Sequence, residues 1–251
     1  MHAIILAGGG AKVDAFAEQH GAINKALINI NGKPMFEYVF DAITASSRIK
    51  DVVIVGPVED FGKYVRPGVT VVPDSGDITD NCLTGIRSLP KDGRRVVLLT
   101  SDIPLITTEI LDRYIDQVAV MEGDLFYPLI SQQTNEARFP GMKRTYARLR
   151  EGVFTGGNIM VLDPVIAEPI AAVVKKLVEK RKNPLAMASV AGPFTLLRLA
   201  AGTLSIAQAE RRVSQILHCR AVVVLCGFAE IGTDVDKESD LALAEAALMT
   251  S

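Results

Sequence analysis

His2-Ala3-Ile4-Ile5-Leu6-Ala7 runs directly into Gly8-Gly9-Gly10-Ala11-Lys12, and this junction decides the fold class. An apolar run of strand length that ends in consecutive glycines reads as the first buried strand of a parallel sheet, with a backbone loop at its carboxyl edge. Glycines at such an edge let the chain approach a ligand closely and aim N–H groups at phosphate oxygens. An ordinary tight turn has the same composition, so the loop by itself leaves both readings open. It is neither the GxGxxG of dinucleotide sites nor the GxxxxGK[ST] of a P-loop. No Lys or Arg precedes the run and glycines interrupt it at once, so it is a strand and not a signal peptide.

Working outward, Val52–Gly56, Val69–Pro73, Arg95–Ser101 and Leu125–Ile130 also read as strands, rich in Val, Ile and Leu. Helical spacing appears between them at Pro34–Ala45 and Asn81–Leu89, with Asn81 in the N-cap position. The alternation predicts an α/β fold, a mostly parallel Rossmann-like sheet with helices on both faces. After about residue 130 the pattern changes. Gln132–Gly156 is polar, basic and turn-rich, a strand follows at Asn158–Leu162, and a helix ends among Lys175, Lys176, Lys180, Arg181 and Lys182. The helical region around Pro184–Leu217 closes with a helix that opens on a Ser205/Gln208 capping box. A last strand, Ala221–Cys226, leads to Asp234-Val235-Asp236 and a closing helix rich in Ala and Leu. One domain over 1–251, with a variable helical insertion at about 131–219, is the simplest organisation.

The 251 residues are 49% hydrophobic and 22% charged with a formal net charge of −2, a globular profile. Such a balance offers no electrostatic footprint for nucleic acid or an anionic membrane. The three cysteines, Cys82, Cys219 and Cys226, have neither zinc-ligand spacing nor an even count, so reduced thiols are expected. The longest later apolar stretch, Ala221 to Ala229, falls far short of the roughly 20 residues a membrane span needs. The expected location is the cytoplasm, without nucleic-acid or membrane partners. A homodimer stays open.

Three further segments carry candidate chemistry. Lys25, in Asn24-Lys25-Ala26-Leu27-Ile28, sits before a turn at Asn31-Gly32 and a helix with Pro34 in its first turn, so rigid neighbours can point its charge at a phosphate. Leu99-Thr100-Ser101-Asp102-Ile103-Pro104 places a carboxylate at the end of a buried strand. There Asp102 can hold Mg²⁺ against a triphosphate, or simply cap the helix that begins near Thr107. Asp234 and Asp236 lie two apart and share one face of an extended segment. Asp236 is read as the N-cap of the closing helix, which leaves Asp234 as the metal ligand.

Taken in order, Leu6-Ala7-Gly8-Gly9, Lys25 with Asn31-Gly32-Lys33-Pro34, Ser101-Asp102-Ile103-Pro104, and Asp234-Val235-Asp236 before Glu238-Ser239-Asp240-Leu241 resemble one superfamily. It is that of the GT-A-like nucleotidyltransferases, which includes the MobA-like NTP transferases such as the molybdopterin-guanine dinucleotide synthases, and the adenosylcobinamide-phosphate guanylyltransferases. The likeness spans roughly residues 1–130 and 220–250. It implies an enzyme that joins an NTP to a phosphorylated small-molecule acceptor, releasing pyrophosphate, with Mg²⁺ as cofactor and Mn²⁺ as the alternative. It implies catalytic roles for Lys25 and Asp102, with Asp102 and Asp234 on the metal, and NTP contacts from Leu6, Ala7, Gly8, Gly9 and Gly10. Asp74, Ser75 and Asn81 are where contacts to the base are expected.

The family's loop usually continues with an arginine near the leaving pyrophosphate. This chain offers only Lys12, which is taken as its counterpart. A chain with net charge −2 needs a local basic cluster for an anionic acceptor. Arg138, Lys143, Arg144 and Arg148 are the candidates, with Asn158 beside them; a solvated charged surface would look the same. Two other readings stay in view. A GT-A glycosyltransferase would show Asp-x-Asp where this chain has Ser101-Asp102-Ile103-Pro104. A nucleotide-binding regulatory or scaffold protein that kept the fold without turnover would explain the missing arginine, but not the retained Lys25 and Asp102.

Overall fold

The computed structural model describes residues 1–8, 14–180 and 190–249. In chain order it begins with β1 (His2–Leu6), α1 (Ala15–Gln19), β2 (Asn29–Ile30), β3 (Lys33–Pro34), α2 (Met35–Thr44), β4 (Val52–Val55) and α3 (Val58–Phe61). Next are β5 (Val69–Val72), α4 (Ile78–Arg87), β6 (Val96–Thr100), α5 (Thr108–Ala119), β7 (Leu125–Ser131) and α6 (Gln132–Arg138). The rest comprises β8 (Ala147–Leu149), β9 (Gly152–Gly156), β10 (Ile159–Leu162), α7 (Ala167–Lys180), α8 (Pro193–Ala200), α9 (Ile206–Leu217), β11 (Ala221–Cys226) and α10 (Glu238–Met249).

The main sheet runs β5-β4-β1-β6-β10-β7-β9-β8, with β11 added to β7. β5, β4, β1 and β6 are mutually parallel, in registers such as Ile5↔Ile54 and Leu6↔Thr100. Their unbroken hydrophobicity follows from cover on both faces. Ala3, Ile5, Ile54, Val97 and Leu99 pack into one apolar cluster, whereas Ile4, Val53, Val55, Val96 and Leu98 pack into another on the opposite face. Beyond β6 the sheet turns antiparallel: β10 pairs with β6, and β7 takes β10 at its start and β9 at its end. β11 runs parallel along β7 from Ala221↔Leu125 to Cys226↔Ile130. The result is an α/β fold with a parallel centre, as the sequence predicts.

Several local expectations are corrected. α4 starts a turn earlier than Asn81, because Asp77 has the extended backbone of a cap and accepts from the amides of Thr79 (2.9 Å) and Asp80 (3.1 Å). Asn81 lies inside the helix and is buried. The polar stretch 132–156 is not loop: it holds α6 and the β8–β9 hairpin, which extends the sheet. The insertion at 131–219 therefore contributes strands as well as helices. Asp236 does not cap α10, since its carboxylate is engaged by Lys25. The Ser205/Gln208 capping box on α9 forms as expected.

α4 lies close against the sheet because Gly85 has no side chain. A Cβ there would meet the Ile4 methyls at 2.8 and 2.9 Å and Val55 Cγ2 at 3.1 Å. Gly85→Val is expected to lower stability by about 1–3 kcal/mol through overpacking. A urea denaturation midpoint equal to wild type would show that α4 can slide away from the sheet at no cost.

Candidate functional site

At the carboxyl edge of the parallel strands, Leu6, Gly8, Lys25, Asn81, Thr100 and Asp102 line a cleft of about 940 Å³. β1 ends at Leu6, and the Ala7 amide still bonds Val55 O at 2.9 Å. Asn24 then ties two segments together. Its Nδ2 donates to Ala7 O at 2.7 Å, while its Oδ1 accepts from the Ala26 amide at 2.9 Å and so caps the 3₁₀ turn Lys25–Leu27. That turn aims Lys25 across the cleft, where Nζ donates to Asp102 Oδ2 at 2.8 Å and to Asp236. The hairpin β2–β3 behind it turns through Asn31 (φ 52°) and Gly32 (φ 87°), the left-handed pair that a two-residue hairpin loop requires.

The distant C-terminal segment arrives through the backbone. The Val235 amide donates to Asp102 O at 2.9 Å, and the Val235 side chain is fully buried. This contact carries Asp234 and Asp236 to Asp102. One carboxylate oxygen from each of the three lies within 4.8 Å of those of the others. Lys25 balances Asp102 and Asp236, and Arg144 pairs with Asp234. Three carboxylates against two cations leave the cluster anionic.

The titration directions follow from this crowding. Burial acts to lower the Lys25 pKa, but the charges and hydrogen bonds of Asp102 and Asp236 outweigh it and push it up, so Lys25 is a fixed cation. Burial raises the Asp234 carboxyl; Arg144 opposes the rise, and the neighbouring Asp102 and Asp236 add to it. Burial also works to raise Asp236, yet the hydrogen bond and charge of Lys25 prevail and hold it below the usual range. Asp102 Oδ1 is buried and has no hydrogen-bond partner among the described residues. A buried oxygen left unpaired beside two further carboxylates suits a hard divalent cation, which takes oxygen ligands. The donor set of Asp102, Asp234 and Asp236 therefore fits Mg²⁺ or Mn²⁺.

On the opposite side, Gly8 meets the β5–α4 loop. A Cβ on Gly8 would fall 2.8 Å from Asp74 Cβ and Oδ2 and 3.0 Å from Asn81 Nδ2. Asn81 Oδ1 accepts from the Ser75 amide at 2.7 Å and from Ser75 Oγ at 2.9 Å. Leu6, Ala7, Gly8, Asp74, Ser75 and Asn81 are thus brought together; Gly9, Gly10 and Lys12 lie outside the described residues. The basic candidates do not form one cluster. Arg144 reaches Asp234, Arg138 Nε donates to Glu230 Oε1 at 2.7 Å, Lys143 is exposed, and Arg148 packs where a Cβ on Gly202 would touch it. Asn158 is tied to the C-terminal segment by its amide, which donates to Ile231 O at 2.8 Å. Asn24 and Asp236 are the residues that sequence reasoning did not assign to the site. For Asn24 the available signal was a cap-type residue directly before Lys25.

A family model described as the MobA-like NTP transferase domain matches residues 3–191. A solved structure of a hypothetical transferase from Thermus thermophilus is 38% identical, covering 96% of this chain and 100% of that one with a TM-score of 0.83. A 4-diphosphocytidyl-2C-methyl-D-erythritol synthase from Anaerococcus prevotii superposes with a TM-score of 0.62 at 13% identity, over 99% of this chain and 95% of that one. A nucleotidyl transferase from Methanothermobacter gives 0.58 at 14% identity, over 100% and 98% of the two chains. At identities this low the last two speak for the fold alone. No curated protein sequence matches the chain.

Asn24 offers a sharp test of how the site is braced. Asn24→Ala is expected to cost about 1–3 kcal/mol, since it leaves Ala7 O and the Ala26 amide without their partner. Asn24→Asp should do no better in thermal denaturation: it keeps the cap acceptor but sets a carboxylate oxygen against the Ala7 carbonyl. Full stability of the Asp variant would show that the bond to Ala7 is dispensable.

Proposed function

The chain belongs to the MobA-like NTP transferase domain family, and on that footing we propose that it transfers a nucleoside monophosphate from an NTP to a phosphorylated small molecule with Mg²⁺, or Mn²⁺, as cofactor. It is a nucleotidyltransferase; the acceptor class and the metal are what the proposal adds. The observation that supports the metal is the cluster of Asp102, Asp234 and Asp236 at the carboxyl edge of the sheet, with a buried Asp102 oxygen that no described residue bonds; the phosphorylated acceptor rests on the family likeness.

In the reaction, an oxygen of the acceptor's phosphate attacks the α-phosphorus of the NTP. A new P–O bond forms, the α–β P–O bond breaks, and pyrophosphate leaves with the electron pair. A phosphate monoester with a second pKa of about 6 is already a nucleophile at neutral pH, so no general base is required. What the protein must supply is alignment and compensation of charge on the phosphates. Gly8, free of a side chain, lets backbone approach the triphosphate, and by family likeness Gly9, Gly10 and Lys12 continue that contact. Asp74, Ser75 and Asn81 flank the position proposed for the base. Lys25 stays charged at every physiological pH and can turn from the carboxylates to a phosphate oxygen. Bound on the three aspartates, the divalent ion supplies further positive charge for the phosphates. Arg144, held at Asp234, stands beside the metal site and is the basic residue placed best for the acceptor's phosphate.

Asp102→Ala should abolish Mg²⁺-dependent pyrophosphate release from NTP and acceptor, by about 10²-fold or more, while the fold persists. Retained turnover would remove Asp102 from the mechanism. Lys25→Met leaves three carboxylates with Arg144 alone. Its melting temperature in EDTA is expected to fall below that of wild type, and Mg²⁺ should raise it by more than it raises wild type, because a cation bound only by the folded state stabilises by mass action. Equal Mg²⁺ shifts in the two proteins would mean that the ion does not sit at this cluster.

A further inference from the structure

A second cavity lies on the face of the sheet covered by α4, α7 and α9. It measures about 550 Å³ and is lined by Ile78, Leu83, Leu98, Met160, Val174 and Leu199 among other apolar side chains. The volume is that of a small-molecule site, and the lining is almost wholly aliphatic. Its few polar groups are mostly accounted for. Glu210 Oε1 accepts from the Val223 amide at 2.8 Å, and burial keeps the Cys82 thiol protonated. The exceptions are Thr79, whose enclosed hydroxyl bonds no described residue, and Tyr127, whose hydroxyl also has no partner among them.

Position gives this space its meaning. Ile78 lines both the apolar cavity and the polar cleft, so the two meet at the N-terminus of α4. Thr79, with its unpaired hydroxyl, is the next residue, and Lys175 pairs with Asp80 at 2.9 Å on the same first turn. β6 links the two spaces directly: Leu98 lines the cavity, and Thr100, two residues on and on the same face of the strand, lines the cleft. Outside, α8 turns Leu199 toward the cavity and leaves Phe194 and Leu197 at 78% and 64% exposure. An apolar chamber that opens beside a phosphate-handling cleft, under a helix with exposed apolar side chains, suits a molecule with a hydrocarbon body and an anionic end.

We propose that the acceptor is a phosphate monoester of a long-chain alcohol, its hydrocarbon chain in this cavity and its phosphate in the cleft at Asp102. The inference rests on the phosphorylated-acceptor reading above and narrows it. The chain emerges past Ile78, the residue that both spaces share. The product is then a nucleoside diphosphate ester of the alcohol, formed by the same displacement and with the same release of pyrophosphate.

The test uses the full chain with an NTP panel, Mg²⁺, and octyl, decyl and dodecyl phosphate below their micelle-forming concentrations, against glycerol 3-phosphate. Product is read by mass spectrometry and pyrophosphate release, and alkyl phosphate binding by calorimetry without NTP. Binding should strengthen by about 4-fold for each methylene added until the cavity is full. The dodecyl ester should be used at least 10-fold better than glycerol 3-phosphate. Ala171→Trp, and independently Val178→Phe, fill the cavity without touching the cleft; each should weaken dodecyl phosphate binding and use by 10-fold or more, with melting temperature reporting that the variant is folded. Binding that ignores chain length, or that survives both substitutions, overturns the inference. So does preferred use of the short ester, which leaves the nucleotidyl transfer reading standing. Binding of the alkyl chain with no transfer, while another phosphate monoester is used, removes it as the acceptor. If no phosphate ester supports pyrophosphate release, it is the phosphorylated-acceptor reading that fails and this inference with it. The calorimetric arm then still decides whether the cavity takes hydrocarbon chains.

Discussion

Lys25 holds Asp102 and Asp236 together, and the rest of the site depends on that bridge. Three carboxylates brought this close repel one another strongly when partly removed from water. They coexist because two cations stand among them, Lys25 and Arg144, reaching in from opposite parts of the chain. The local structure before β2 serves this end: Asn24 fixes the 3₁₀ turn to β1, and the turn fixes the lysine. The residual negative charge and the unpaired oxygen on Asp102 leave the arrangement short of a closed salt-bridge network.

The two halves of the sheet divide the labour. The parallel half, β5-β4-β1-β6, collects strand ends at one edge and with them Gly8, the β5–α4 loop and Asp102. The antiparallel half sends the chain back to that edge. Asn158, entering β10, bonds Ile231, and the segment from Ala229 to Asp236 passes Glu230 to Arg138, Asp234 to Arg144 and Asp236 to Lys25. One short stretch of chain thus joins Arg138, Arg144 and Lys25 through its carboxylates, and the bond from Val235 to Asp102 anchors it.

Helix α4 borders both chambers. Its first turn edges the polar cleft, while its inner face lines the apolar cavity. Gly85, with no side chain, lets the helix sit close against Ile4 and Val55 of the sheet. The polar groups therefore collect at the strand ends and the apolar ones along the sheet face.

The parallel core was legible in the sequence, since strands buried on both faces must be continuously apolar, and β1 running into glycines marks the edge where the cleft opens. Lys25, Asp102 and Asp234 stood out as charged residues because each follows or precedes a rigid element, and the structure brings them together. Other choices had no local signal. Asp77 and Asn81 are both cap-type residues four apart, and only the path of the β5–α4 loop selects the first. Asp236 is as fit to cap α10 as to join the cluster, and a lysine 211 positions away decides the matter. Arg144 and Arg148 look alike on paper, yet the first, in the segment before β8, reaches Asp234, and the second, in β8, lies against Gly202. The apolar cavity was invisible for the same reason: its lining comes from α4, α7, α8 and α9 and from four or more strands, each of which reads as ordinary core. Local pattern determines which residues are strand, loop or charge, because that depends on neighbours along the chain; which charges meet, and where packing leaves a space, depends on contacts between distant segments, and these only the tertiary structure decides.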